Sequence, residues 1–191
     1  MPVTINGNGS ITGISAGGLP AGSLTLSKTD MPAGTVIQCI TDTTTSATNN
    51  DGNTYVTING LSVTMTPRAA NSKFYAIFEG HFYVDYGGSG SNSAHGIGYN
   101  IYKDGTRFTT SPNDSGGSEN SERPYDWYND GAHRTVARLM KTGQGTFGST
   151  SAATFTVKFK GYYANSTHTV KLNENGVDET QAQLTVMEIA V

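Results

Sequence analysis

The side chains most able to do chemistry are four histidines, His81, His95, His133 and His168, a single cysteine, Cys39, and the carboxylates Asp114, Glu119, Glu122, Asp126 and Asp130. Such groups bind metals, act as nucleophiles or move protons. Their spacing supports none of these roles. No histidine stands at a zinc-type interval from another or from Cys39. The carboxylates crowd one polar stretch, whereas glycoside hydrolysis needs two of them held at a fixed separation on rigid elements. Gly88-Ser89-Gly90 lacks the strand-to-helix turn that exposes a nucleophilic serine. Gly96-x-Gly98 lacks the third glycine and the following helix of a phosphate cradle. Cys39 lies in the apolar run Val36-Ile37-Gln38-Cys39-Ile40, which predicts a buried, inert thiol. The chain reads as non-enzymatic, and its residues call for no cofactor and no metal.

Binding chemistry has better material. Arg123-Pro124-Tyr125-Asp126-Trp127-Tyr128-Asn129-Asp130 sets the only tryptophan between tyrosines, amide and carboxylates. Aromatic faces offer large contact area at little entropic cost, and Asp and Asn accept hydrogen bonds from hydroxyls. Tyr125, Asp126, Trp127, Tyr128 and Asn129 are therefore candidate contacts for a surface receptor or glycan. The competing reading is that Trp127 and Tyr125 fold their loop back as a small satellite core.

The elements that must position these residues are strands. Residues 35–41 read as a first strand. Residues 55–58 and 61–65 flank Asn59-Gly60, the strongest short hairpin signal, because both residues tolerate φ > 0. The longest run is 73–85. On it Phe74, Ala76, Phe78, Gly80, Phe82 and Val84 share one face, while Tyr75, Ile77, Glu79, His81 and Tyr83 share the other. The first face is core; the second has aromatic bodies with polar tips, which suits a protein interface. Residues 96–103, 133–140, 153–161 and 167–172 are further strands, with Ile97, Tyr99, Ile101 and Phe155, Val157, Phe159 inward. Asp104-Gly105 is a turn, and residues 109–131 form a long polar loop. With roughly eight to ten short strands and no helix-period segment, the fold class is all-β, a sandwich or jelly roll.

The C-terminal strand, residues 182–191, is apolar on both faces. Ala182, Leu184 and Val186 lie on one side, and Thr185, Met187 and Ile189 on the other. A half-buried strand alternates cleanly between apolar and polar, so this one predicts cover on both sides, the second from another copy of the chain. The predicted self-association face is Tyr75, Ile77, His81, Tyr83, Met187 and Ile189. His81 is expected there as a hydrogen-bonded interface histidine; copies meeting on an axis would instead form a metal or anion site.

Composition sets the limits. Charged residues make up 14% of the 191 residues, against roughly a quarter in a typical soluble domain. Twelve Lys and Arg against 15 Asp and Glu leave a net charge of −3, which excludes the basic stripe of a nucleic-acid binder. No apolar run reaches membrane-span length and no signal peptide opens the chain, so no membrane insertion is expected. Residues 1–34 are Gly-rich with isolated apolar residues too sparse to close a core. They read as an extended arm that orders against neighbouring chains, or as a flexible leader; residues 35–191 read as the globular head.

Several segments, in order along nearly the whole chain, resemble a known family. Gly13-Ile14-Ser15-Ala16-Gly17-Gly18-Leu19-Pro20-Ala21-Gly22-Ser23-Leu24 is similar to the N-terminal pattern of small tail-fibre or virion-appendage proteins of tailed bacteriophages, many of them cyanophage-like. Pro32-Ala33-Gly34-Thr35-Val36-Ile37-Gln38 looks like the lead-in to their C-terminal domain. Leu61-Ser62-Val63-Thr64-Met65-Thr66-Pro67, Ile101-Tyr102-Lys103-Asp104-Gly105-Thr106 and Leu184-Thr185-Val186-Met187-Glu188-Ile189 resemble pieces of that domain. Residues 87–95 and 111–130 match no pattern of the family.

The resemblance implies a jelly-roll head like those of complement and tumour-necrosis-factor proteins, assembled as a homotrimer on the virion surface. Residues 1–34 would then grip another virion protein, and loops around 87–95 and 111–130 would meet a host surface glycan or protein. The strand pattern alone yields a buried extra face without the number three, since rings of identical contacts close at any order. A capsid-bound head fibre or decoration protein, binding no receptor, is the alternative.

Overall fold

The structure, a computed structural model, describes residues 4–5, 11–12, 31–51, 54–86, 96–109, 134–162, 168–173 and 181–191. These residues hold strands and no helix. The chain divides into two units, residues 1–32 and 33–191. In the first, β1 (Thr4–Ile5) pairs antiparallel with β2 (Ile11–Thr12); of the predicted arm, residues 1–3, 6–10 and 13–30 lie outside the described residues.

The second unit contains β3 (Val36–Thr44), β4 (Thr48–Asn50), β5 (Val56–Met65), β6 (Lys73–Tyr86), β7 (Gly96–Lys103) and β8 (Thr106–Arg107). It continues with β9 (Arg134–Thr146), β10 (Ala153–Tyr162), β11 (His168–Leu172) and β12 (Ala182–Ile189). One sheet has the order β5-β10-β7-β8. The other is built on β6: β9 lies along one edge, from Lys73 to Asp85. The opposite edge is shared by β12, against Lys73–Glu79, and β11, against Phe82–Tyr86. Outside these lie β3 on β12 and β4 on β11. All pairings are antiparallel.

Period-2 alternation makes this a sandwich. Phe74, Ala76, Phe78 and Phe82 of β6 and Ala182, Leu184 and Val186 of β12 face Ile97, Tyr99 and Ile101 of β7 and Phe155, Val157 and Phe159 of β10, all buried. Edge-on aromatic pairs join the sheets: Phe74 with Phe155 at 5.1 Å between ring centres, Phe82 with Phe159 at 5.3 Å. Each such pair adds about 0.5–1.5 kcal/mol beyond area burial.

Three expectations need correction. The Asn59-Gly60 hairpin does not form; β5 runs straight through. A type I′ turn requires φ > 0 at both positions, and only Gly60 has it, at 67°. Asn59 is held otherwise: its N–H donates to Thr48 Oγ1 at 2.9 Å, and its carbonyl accepts from Thr44 Oγ1 at 3.0 Å. The pair makes a bulge, with Ile58, Asn59, Gly60 and Leu61 together opposite Val157. By contrast Asp104 and Gly105, at φ 49° and 78°, do turn between β7 and β8.

Strand β9 runs to Thr146, past the predicted end at Met140. Gly143 and Gly145 lie in this extension: a Cβ at Gly145 would stand 2.6 Å from the Phe74 ring, and one at Gly143 2.5 Å from Thr109 Cγ2 and 2.7 Å from the Phe108 ring. They admit aromatic rings rather than end the strand. Finally, Cys39 is exposed, not buried. It shares the outward side of β3 with Thr41 and Thr43, each paired to an outward residue of β12.

Candidate functional site

The outer face of the β6 sheet is assembled by register. One row across it is Cys39-Met187-Tyr75-Gln144; the next is Thr41-Thr185-Ile77-Thr142; a third is Thr43-Gln183-Glu79-Met140. The first two rows hold no charged side chain. Tyr75, Ile77, Met187 and Ile189 are half-buried, and Met140 is 63% exposed. Thr41 and Thr185 hydroxyls hydrogen-bond to each other at 2.9 Å, satisfying polar atoms within the face. Charge appears beyond the middle, where Arg138 pairs with Glu79 and lies beside half-buried His81.

Tyr83 stands apart from the other predicted face residues. It is 1% exposed within its own chain, so it offers no surface to a partner. Its buried hydroxyl has no hydrogen-bond partner among the described residues.

The face is held in place by a buried anion. Alternation puts Glu188 on the core side of β12 with Leu184 and Val186, and it is fully buried. The Arg68 N–H donates to both of its carboxylate oxygens at 2.9 and 3.1 Å, Gln38 Nε2 donates at 2.6 Å, and the Ala69 N–H at 3.4 Å. Burial by itself would raise the Glu188 pKa. The Ser72 hydroxyl beside it and these amide donors outweigh that effect and lower it on balance. Glu188 thus ties β12 to β3 and to the 66–72 connection, next to Met187 and Ile189.

The head also has a polarity. Contacts of Phe74 with Phe155 and of Phe82 with Phe159 align the two sheets end to end. The described strand ends Tyr86, Gly96, Arg134, Tyr162 and His168 then gather at one end. At the opposite end the Gly34 N–H donates to the Ala190 carbonyl at 2.9 Å, and Ala190 N–H to the Thr35 carbonyl at 2.8 Å. The strands flanking residues 87–95 therefore open away from the point where the chain enters the head.

The predicted contacts Tyr125, Asp126, Trp127, Tyr128 and Asn129 lie outside the described residues, as do His95 and His133. Among the described residues no cluster of three or more His, Cys, Asp or Glu could hold a metal, and no helix is long and apolar enough to cross a membrane. Compared with models of known families and with curated proteins, the chain matches none. The sequence reading missed Glu188, although a glutamate at a core position of an otherwise apolar alternation is itself a signal. It also missed Cys39 and Met140, which join the face only through pairing across strands.

Proposed function

We propose that this chain is a non-enzymatic structural component of a phage virion: a homotrimeric fibre whose head presents its loops to a host surface receptor or glycan. The observation that carries the reading is the polarity of the head. The strands bordering 87–95 end at the pole opposite Gly34, which supports a head that presents those loops at its tip. Residues 1–34 would supply the attachment to another virion protein.

The strand order supports a jelly roll. Counting the eight main strands β3, β5, β6, β7, β8, β9, β10 and β12 in sequence, one sheet is first-eighth-third-sixth and the other second-seventh-fourth-fifth, the double Greek-key wrapping of that fold. The uncharged rows around Met187 and Ile77 support self-association through the outer sheet face. Full burial of such a side chain is worth about 1.5–3 kcal/mol; half is already realised in the single chain, so association adds about 1 kcal/mol for each.

Light scattering of the purified full chain tests the assembly: a mass three times 20.1 kDa is expected, and a monomer at micromolar concentration overturns it. Density for the protein on intact particles tests the location. A capsid position with undiminished host adsorption after Trp127→Ala would replace the fibre by a decoration protein.

A further inference from the structure

The outer face of the other sheet differs in chemistry from the self-association face. Lys158 and Lys160 point outward from β10, two residues apart on one strand, which sets them about 6.5–7 Å apart. Each ammonium sits over a tyrosine ring: Lys158 at 4.6 Å from the centre of Tyr102, Lys160 at 5.1 Å from that of Tyr55. The two rings meet edge-on at 6.3 Å.

Beneath them lies a polar network. Asn100, 3% exposed, bonds the Tyr55 hydroxyl at 3.0 Å and the Thr109 hydroxyl at 3.2 Å, and Thr109 Oγ1 accepts from the Ile101 N–H at 3.0 Å. Gly98 leaves room for this arrangement; a Cβ there would be 3.1 Å from the Tyr55 oxygen. Among the described residues the lysines are thus held by rings and not by carboxylates. The described residues of β5, β10, β7 and β8 carry no carboxylate; Asp42 of β3 accepts from the Ser62 N–H at 2.8 Å at the edge of the sheet, and Asp104, at the β7–β8 turn, is engaged by the Thr154 N–H at 2.8 Å and by Lys103 at 3.6 Å.

Around the two cations the face is a field of hydroxyls: Thr57 beside Lys158, Ser62 and Thr156 in the row of Tyr102, Thr64 and Thr154 in the next. Two oriented ammoniums among neutral hydroxyls match a saccharide that carries carboxylates, whose own hydroxyls pair with Ser and Thr. A nucleic acid, with a charge at every step, demands a longer basic track than an acidic chain with these two lysines provides.

We propose that the outer face of the four-stranded sheet, centred on Lys158, Lys160, Tyr55 and Tyr102, is a binding site for an acidic polysaccharide. The inference concerns the head alone and does not depend on the trimer, on the virion or on residues 125–129.

Calorimetric titration of the full chain with oligogalacturonate at low salt tests it. Saturable binding that weakens as salt rises is expected, with no binding of neutral maltoheptaose. The Lys158→Gln/Lys160→Gln double variant should lose affinity about tenfold or more, as removal of two charge-assisted contacts requires. Absence of saturable binding, equal binding by the double variant, equal binding of maltoheptaose, or tighter binding of a single-stranded oligonucleotide would each overturn the site. Should the double variant fail to fold, acetylation of the native chain decides: oligogalacturonate must shield Lys158 and Lys160, and unchanged labelling at both refutes the proposal.

Discussion

The backbone N–H of Arg68 donates to both carboxylate oxygens of Glu188, bridging a loop and a strand 120 residues apart in sequence. Because these donors lower the folded-state pKa of Glu188, its contribution is complete at neutral pH. It is lost as the pH falls below the ordinary glutamate value of about 4.3 and through the depressed one. Glu188→Gln sets an amide NH2 against donors already in place and should cost about 1.5–3 kcal/mol at pH 7. Urea unfolding at pH 7 and pH 3 checks both points: the variant should show a smaller difference between the two pH values than the parent chain.

Met187 lies between Cys39 and Tyr75 in one row of the outer sheet face. Met187→Asp places a charge in the uncharged rows yet on a half-exposed position, so the single chain should stay folded while the proposed assembly separates. The thiol of Cys39 reports this directly. It should react slowly with maleimide in the parent assembly and at the rate of an open thiol in the variant; equal rates in both would show that this face is not covered.

Gly145 faces Phe74, whose ring is packed against Phe108, Phe147 and Phe155 at 4.9, 5.3 and 5.1 Å. The ring has nowhere to swing. Gly145→Ala, with its Cβ 2.6 Å from that ring, should destabilise the head by about 1–3 kcal/mol, the usual range for overpacking a core. Thermal unfolding of the variant measures it, and an unchanged midpoint would mean that the aromatic cluster is looser than its geometry.

Thr109 is 3% exposed and its hydroxyl serves Asn100 and the Ile101 N–H. Thr109→Val keeps the shape and strands both partners, so a loss of about 1–3 kcal/mol is expected. Asn100→Ala in the same background should then cost less than it does alone, because the two act as one network. Additive losses would show that they do not.

Much of the fold is legible along the chain because its signals are local. The alternation of β10 and β12, and of β6 as far as Phe82, names the core faces correctly, whereas Tyr83, expected outward, is buried; Asp104-Gly105 turns as its composition predicts. Asn59-Gly60, with the same local signal, does not turn, because Thr44 and Thr48 arrive from elsewhere and hold Asn59. Strand β9 outruns its expected end at Met140 for a related reason: Gly143 and Gly145 make room for the rings of Phe108 and Phe74, which no window around residue 144 contains.

Legible along the chain were the all-β class, most inward residues of the long strands and the apolar second face of β12, since side-chain period and turn chemistry act between near neighbours. Three features emerge only when the strands come together: Cys39 is exposed, Glu188 is a buried and satisfied anion, and Lys158 and Lys160 lie over Tyr102 and Tyr55. Each depends on which strands become neighbours in a sheet, and that pairing is set by burial of the whole core rather than by any one segment.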